Sequence, residues 1–298
     1  MSAPPRLRRV VVTGWGALSP GGAGVDALRQ WLAKPVTGRP GRVPGFDGAT
    51  YIRNVRRLRT MHRTFQLATA AAVMAMEAAG MPSEGAVEAL GIPPERAGLA
   101  TALSDISPVT ADLLRVLAAV APELGRAPDG YARFAELGAR ELHPFRRLAL
   151  LANMAAGHTS LLLNMQGPGF SFTSGAGAGL QAIAESYWTV AQGRAELMLA
   201  QSASSPEQSY TSAQLPEISG AVVLEEAESA ARRGAPVLAE ISAGQPFAAG
   251  AARCPTPAAA GLEPAPELLA ALLRLTAGGC VELADLSQTT ALLTGARR

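Results

Sequence analysis

One stretch, GPGFSFTSGAGAGLQAI from Gly167 to Ile183, constrains the fold of this chain more than any other. Phe170, Ser171, Phe172 and Thr173 alternate apolar and polar with the period of a half-buried strand. Leu180, Ile183, Tyr187 and Trp188 then recur at helical spacing, and only SGAGAG intervenes. A strand that turns this sharply into a helix brings a helix N-terminus and backbone amides to one point. Many enzymes hold a nucleophile there, because the site lowers a thiol pKa and binds an oxyanion. Alanine and glycine supply neither a thiol nor a hydroxyl.

The rest of the chain alternates in the same way. A short strand is expected at 10–12, followed by a glycine-rich loop, TGWGALSPGGAG, and a helix over 25–33. After a Gly/Pro-rich excursion comes a long alanine-rich helix ending at Gly80, a residue suited to stop it. A strand at 99–103 precedes helical patterns at 109–120, 131–141 and 146–165, the last with Leu148, Leu151, Met154 and Ala155 on one face. Beyond Ile183, AELMLAQSA, SGAVVLEEA and APVLAEISAG read as three more strands. Residues 244–266 read as loop, 267–276 as helix and 280–283 as a last strand. Such alternation predicts an α/β fold, a layered sheet with helices on its faces.

With 298 residues the chain is long enough for a large α/β domain or two smaller ones. Only 17% of it is charged, below the roughly 25% of ordinary soluble chains, which points to apolar surface covered by a partner. The formal net charge is +2 and the basic residues are scattered, so nucleic acid is not an expected partner. No apolar run approaches the about 18 residues of a membrane span. RLRRVVVTGWGAL is broken at Thr13 and Gly14 and reads as a strand, not a leader. Cys254 and Cys280 lack metal-ligand spacing and read as inert, reduced thiols of a cytoplasmic protein.

Candidates for chemistry are few. Ser174 has no histidine downstream of His158 to serve it as a base, and reads as structural. His158, in the apolar helical run NMAAGHTS, reads as a packed, hydrogen-bonded core histidine; His62 and His143 read as surface or capping residues. In TGWGALSPGG, Gly14 and Gly16 match the first two glycines of a dinucleotide fingerprint, but Ser19 stands in the third place and Pro20 interrupts the helix start. No cofactor or metal is expected. The stripe Leu113, Leu114, Leu117 and Val120 reads as core.

Several segments, in order, resemble the β-ketoacyl synthases, the condensing enzymes of fatty acid and polyketide synthesis. RRVVVTGWGALSPGG is similar to their opening strand and loop, and RTMHRTFQLATAAAVMAMEAAGM to their first long helix. LLANMAAGHTSLLLNMQGPGFSFTSGAGAGLQAI resembles the segment through the nucleophile elbow, and AELMLAQSA and SGAVVLEEAESAARRGAPVLAEISAG continue the likeness, which runs from Arg8 to Gly244. It implies a thiolase-like layered α/β/α fold, the N-terminal half of a ketosynthase over 1–244 with a truncated C-terminal remnant over 245–298. Laid ungapped on the family's elbow, TSGAGAG puts Ala176 at the position of the nucleophilic cysteine. The family's two C-terminal histidines and lysine have no counterpart in the likeness. The only lysine is Lys34, and CVELADLSQTT resembles the stretch carrying the first histidine, with Asp285 near its place.

The resemblance therefore implies a non-catalytic subunit like a chain length factor, paired with a full-length ketosynthase in a type II polyketide or fatty acid-like pathway, with aryl polyene pigment pathways as the nearest subclass. Acyl carrier protein would be met through the complex. It further implies an interface of Asn153, Met154, Gly169, Phe170, Ser171, Phe172 and Thr173, and an acyl-tunnel stripe of Ala111, Leu114 and Ala118. Two alternatives stay open: a residual malonyl decarboxylase or acyltransferase, and a carrier-protein-binding module using arginines such as Arg53, Arg56 and Arg57 against an acidic surface.

Overall fold

The computed structural model describes residues 7–32, 41–82, 85–103, 110–124, 129–142, 151, 153–173, 178–205, 216–242 and 280–282. The chain opens with β1 (Val10–Ser19), doubles back through Pro20 and Gly21 into β2 (Gly22–Ala23), and continues into α1 (Val25–Leu32). A 3-10 turn at Gly48–Thr50 is capped by Asp47, whose carboxylate accepts from the Ala49 amide at 2.9 Å. Then follow α2 (Val55–Leu58), α3 (Arg63–Ala78), β3 (Ala97–Leu103), α4 (Thr110–Leu124), α5 (Asp129–Glu141) and α6 (Asn153–Leu163). The remainder is β4 (Gly169–Phe172), α7 (Ala178–Ala191), β5 (Leu197–Ser204), β6 (Ile218–Glu226), α8 (Ala227–Arg232), β7 (Ala239–Ser242) and β8 (Cys280–Glu282).

The strands form one mixed sheet in the order β4-β3-β5-β6-β1-β7-β8, with β2 attached to β1. β4, β3 and β5 are parallel, connected by helices as parallel neighbours must be. β6 is antiparallel to both β5 and β1, and β7 is antiparallel to β1. β8 lies parallel to β7, so the strand expected near Cys280 joins this same sheet. The expected helix over 267–276 and loop over 244–266 lie outside the described residues.

The two faces of the sheet carry different cores. On one, Val10, Val12, Ala100, Met198, Val222 and Leu224 pack beneath α7. On the other, Leu99, Leu197, Leu199 and Val223 meet α3. A third cluster, around Phe65, Leu18, Leu103 and Ala203, extends that second core. The result is a helix-sheet-helix layering, as expected.

β1 is longer than its sequence suggests. The glycines at 14 and 16 are not a loop; they continue the strand past a register shift between Val12 and Gly14. The cause is the approach of α3. A Cβ on Gly14 would stand 2.1 Å from the Ala75 carbonyl oxygen, and one on Gly16 would stand 2.2 Å from that of Ala71. The alanine run of α3 is the matching half of this contact: small side chains on the helix and none on the strand let the two backbones touch. A dinucleotide role for these glycines has no room.

Two ion pairs staple the α3 side. The fully buried Glu217 accepts from Arg63 through both oxygens, at 3.0 and 2.9 Å, and from the Val43 amide at 2.9 Å. Arg63 also donates to the Phe46 carbonyl and lies 4.6 Å over the Phe46 ring. At the other end of α3, Arg233 donates to both oxygens of buried Glu225 and to the Ala79 carbonyl, which closes the helix C-terminus.

Candidate functional site

The three parallel strands β4, β3 and β5 point their C-terminal ends the same way, and α7 starts at that end. Five residues, Thr173-Ser174-Gly175-Ala176-Gly177, join β4 to α7, and none carries a thiol. Ala176 and Ser174 lie outside the described residues; so do His143, Lys34, Cys254 and Asp285.

β4 is the edge of the sheet. It pairs with β3 on one side, and among the described residues nothing pairs with it on the other. Gly169, Ser171 and Thr173 are exposed. Phe170 and Phe172 are half-buried, their rings stacked at 6.5 Å and packed on the core beneath α7. The two rings therefore belong to this chain's own core, and what the edge offers outward is backbone and the Ser171 side chain. Of the two α6 residues expected at an interface, Asn153 is exposed, while Met154 is half-buried against the cluster around Phe65. Because α6 packs on β3 and β4, both stand near the edge strand.

The expected tunnel stripe lies on α4, which packs on α5. Leu114 is 50% exposed and Ala118 is exposed as well, whereas Val116 and Val120 are buried. The side chain of Ala111 lies outside the described residues. The core stripe expected on this helix is therefore shifted: Val116 and Val120 form it, with Leu113 and Leu117 half-buried beside them.

Behind β4 runs a feature that sequence periodicity missed. Thr69 of α3 lies 2.9 Å from Thr159 of α6, Thr159 donates to the Gln201 carbonyl oxygen at 3.2 Å, and the Gln201 amide donates to Thr101 of β3 at 3.0 Å. All four side chains are buried. The available signal was a polar residue at a core position, Thr69 within an alanine run and Gln201 within LMLAQSA. His158, the neighbour of Thr159, is buried as expected, but its Nε2 has no hydrogen-bond partner. Its ring stands 6.2 Å from that of Phe65. Burial, and secondarily the Arg57 charge, hold the imidazole below the usual histidine range.

Arg53, Arg56 and Arg59 are exposed around α2, with Arg57 half-buried. At the opposite end of the sheet, an open recess of about 430 Å³ is lined by Leu7, Arg8, Arg9, Glu226 and Glu228. Its two arginines are paired within the chain, Arg8 with Glu226 and Arg9 with Glu240. Among the described residues no cluster has the makings of a metal site, and no helix is long and apolar enough to cross a membrane.

Residues 35–240 match the family model of the β-ketoacyl synthase N-terminal domain. The chain is 26% identical to the 3-oxoacyl-[acyl-carrier-protein] synthase 2 of Vibrio harveyi, covering 78% of this chain and 61% of the relative. Its likeness to the same enzyme of Vibrio cholerae is also 26%, covering 78% and 62%. The chain thus spans about three fifths of the length of the curated relatives it matches. Among solved structures, it resembles AntDE:AntF, a type II PKS acyl-carrier protein in complex with its ketosynthase, with a TM-score of 0.62 and 21% identity over 97% of this chain and 90% of that one. The ishigamide ketosynthase/chain length factor follows with a TM-score of 0.58 and 22% identity, covering 78% and 62%. At these identities the structural likeness speaks for the fold.

Proposed function

Because this chain belongs to the β-ketoacyl synthase family through its N-terminal domain, we propose that it is a non-catalytic ketosynthase-like subunit which pairs with an active β-ketoacyl synthase and helps shape the space for the growing acyl chain. The observation that carries this reading is Ala176. The strand, the turn sequence and the helix resemble those that present a nucleophile in the family, and the residue that this resemblance lays on the nucleophilic cysteine is an alanine. A methyl group forms no thioester, so the partner would supply the covalent chemistry. The free edge at β4 supports the pairing, since an unpaired strand is the part of a sheet best suited to meet another chain. Two of the similar solved structures are named for a ketosynthase with its acyl-carrier protein and for a ketosynthase/chain length factor.

Activity assays test the proposal. The purified chain, given a malonyl-loaded acyl carrier protein and an acyl primer, is expected to release no carbon dioxide and to extend no chain. Ala176→Cys alone is expected to leave extension at background, because a thiolate at a helix start accepts an acyl group without decarboxylating the extender. Co-expression with a full-length ketosynthase encoded beside it is expected to give a complex that does both. Extension by the isolated chain would overturn the reading, and carbon dioxide release without extension would favour the residual decarboxylase.

A further inference from the structure

α6 carries apolar side chains on more than one side: in NMAAGHTSLLL, Met154 and Leu161 share one, while Leu162 and Leu163 stand on others. Apolar burial does not explain the side it turns inward. The buried stripe is Ala155, His158, Thr159 and Leu163, while Leu161 is left 67% exposed and Met154 half-buried. Roughly a quarter turn about the helix axis would withdraw Ala155, Thr159 and Leu163 and bring in Met154 and Leu161, with Leu162 packed inward in either setting, so the two faces offer comparable apolar area. Something other than apolar area therefore selects the observed setting. Among the described residues, the side chain that ties α6 to the interior by hydrogen bonds is Thr159, which accepts from Thr69 and donates to the Gln201 side-chain oxygen, and the Gln201 side-chain amide in turn donates to Thr101.

We infer that the buried polar thread Thr69-Thr159-Gln201-Thr101 is a registry device that fixes the rotation of α6, and with it which side chains stand beside the β4 edge. Turning α6 would break both bonds of Thr159 and strand the Thr69 hydroxyl and the Gln201 side-chain oxygen in a dry core, a cost that decides between two faces of comparable apolar area. Polar groups buried at a packing interface serve best where several apolar packings compete, because only one of these satisfies them. α6 is such a case, since it leads directly into β4 and packs on it. The thread spans α3, α6, β5 and β3, so the helix is referred to the sheet at two strands. Its consequence for a partner, that Leu161 and Asn153 are held exposed on the helix that packs on β4, rests on the function proposed above; the rotation itself does not.

Cysteine labelling reads the rotation directly. In full-length protein with Cys254→Ser and Cys280→Ser, Leu161→Cys is expected to react with a maleimide roughly 100-fold faster than Leu163→Cys, which is reachable only by local opening. Replacing the thread by apolar residues of similar size, Thr69→Val, Thr101→Val, Thr159→Val and Gln201→Met, should leave a cooperatively folded protein in which that ratio falls at least about tenfold. Restoring the hydroxyls and Gln201 with serine in place of Thr159 should bring the contrast back. An unchanged contrast in the folded apolar variant overturns the inference, and so does failure of that variant to fold, since a registry device leaves a packed core when removed. A partner pull-down runs alongside. If the native chain binds no ketosynthase yet the labelling result holds, the proposed function fails and the registry role stands.

Discussion

At the scale of single residues, the tightest constraint is the absence of a side chain. Gly14 and Gly16 sit where the backbone of α3 touches β1, and neither contact has a flexible side chain that can give way. Gly16→Ala is expected to cost about 3 kcal/mol or more, at the upper end for overpacking, because backbone must move in both elements. A urea titration checks it, and a midpoint unchanged from the native chain would show that α3 shifts freely. His158 gives a second residue-scale expectation. Burial and Arg57 hold its folded pKa down, so as the pH falls through about 6.5 the unfolded chain takes up a proton more readily than the folded chain. Its contribution to stability is complete above about pH 6.5 and falls as the pH drops through that value, by at most about 1.4 kcal/mol per pH unit. The urea midpoint of the native chain should fall over this range by more than that of His158→Leu. Equal slopes would mean that the ring protonates in place.

At the scale of elements, α3 holds the second face together, and Arg63 and Glu217 fasten its first turn to the start of β6 and to residues 43–46. Arg63→Ala leaves the Glu217 carboxylate buried without its counter-charge, and should destabilise by about 3–5 kcal/mol. Glu217→Gln keeps the shape and a carbonyl acceptor and should cost less; a larger loss in Glu217→Gln than in Arg63→Ala would overturn this expectation and show that the unpaired Arg63 charge is the costlier one. The helices and strands were legible where apolar period was strong. The alanine-rich α3, β3, β5 and β6 all fall where the spacing of Leu, Val and Ala placed them. β1 was read short because a glycine pair in a strand has the signature of a turn until the neighbouring helix is seen. Of the face expected on α6, Leu148, Leu151, Met154 and Ala155, the structure buries Ala155 and half-buries Met154, while Leu148 lies outside the described residues. Leu151 lies before the first turn of α6 and is 48% exposed, and the pattern, which counts apolar residues, does not see the hydrogen bond from Thr159 to a strand about 40 positions away. The elbow was legible as strand, turn and helix; the polar thread behind it was not, because its four members come from four separate elements.

At the scale of the whole molecule, the sheet is closed off unequally. Its central strands are covered on both faces, yet at β4 it ends in a strand whose outer backbone groups have no partner among the described residues. Natural proteins blunt such edges with charge, proline or a covering element. Here the strand Gly-Phe-Ser-Phe carries no charge, and exposed Leu161 and Leu151 come from α6 and the residues just before it. An edge of this kind, left open, templates pairing with whatever strand it meets. Extension of the sheet into a second subunit removes that liability, and interfaces of permanent complexes usually bury over about 2,000 Å², enough to make the free subunit unstable. The geometry also tells where to test it. Phe172→Asp would strike the core beneath α7 and confuse folding with assembly, because the ring is part of that core. Ser171 is exposed on the same strand, so Ser171→Glu places a charge at the edge without touching the interior. If the proposed pairing holds, the native chain, co-expressed with a full-length partner ketosynthase, should elute as a soluble heterodimer and aggregate when expressed alone. The Ser171→Glu chain should lose the heterodimer by size-exclusion chromatography while its circular dichroism spectrum stays native. Retention of the complex by Ser171→Glu, or a native chain that stays monomeric at micromolar concentration and ignores the ketosynthase, would remove β4 as the meeting edge.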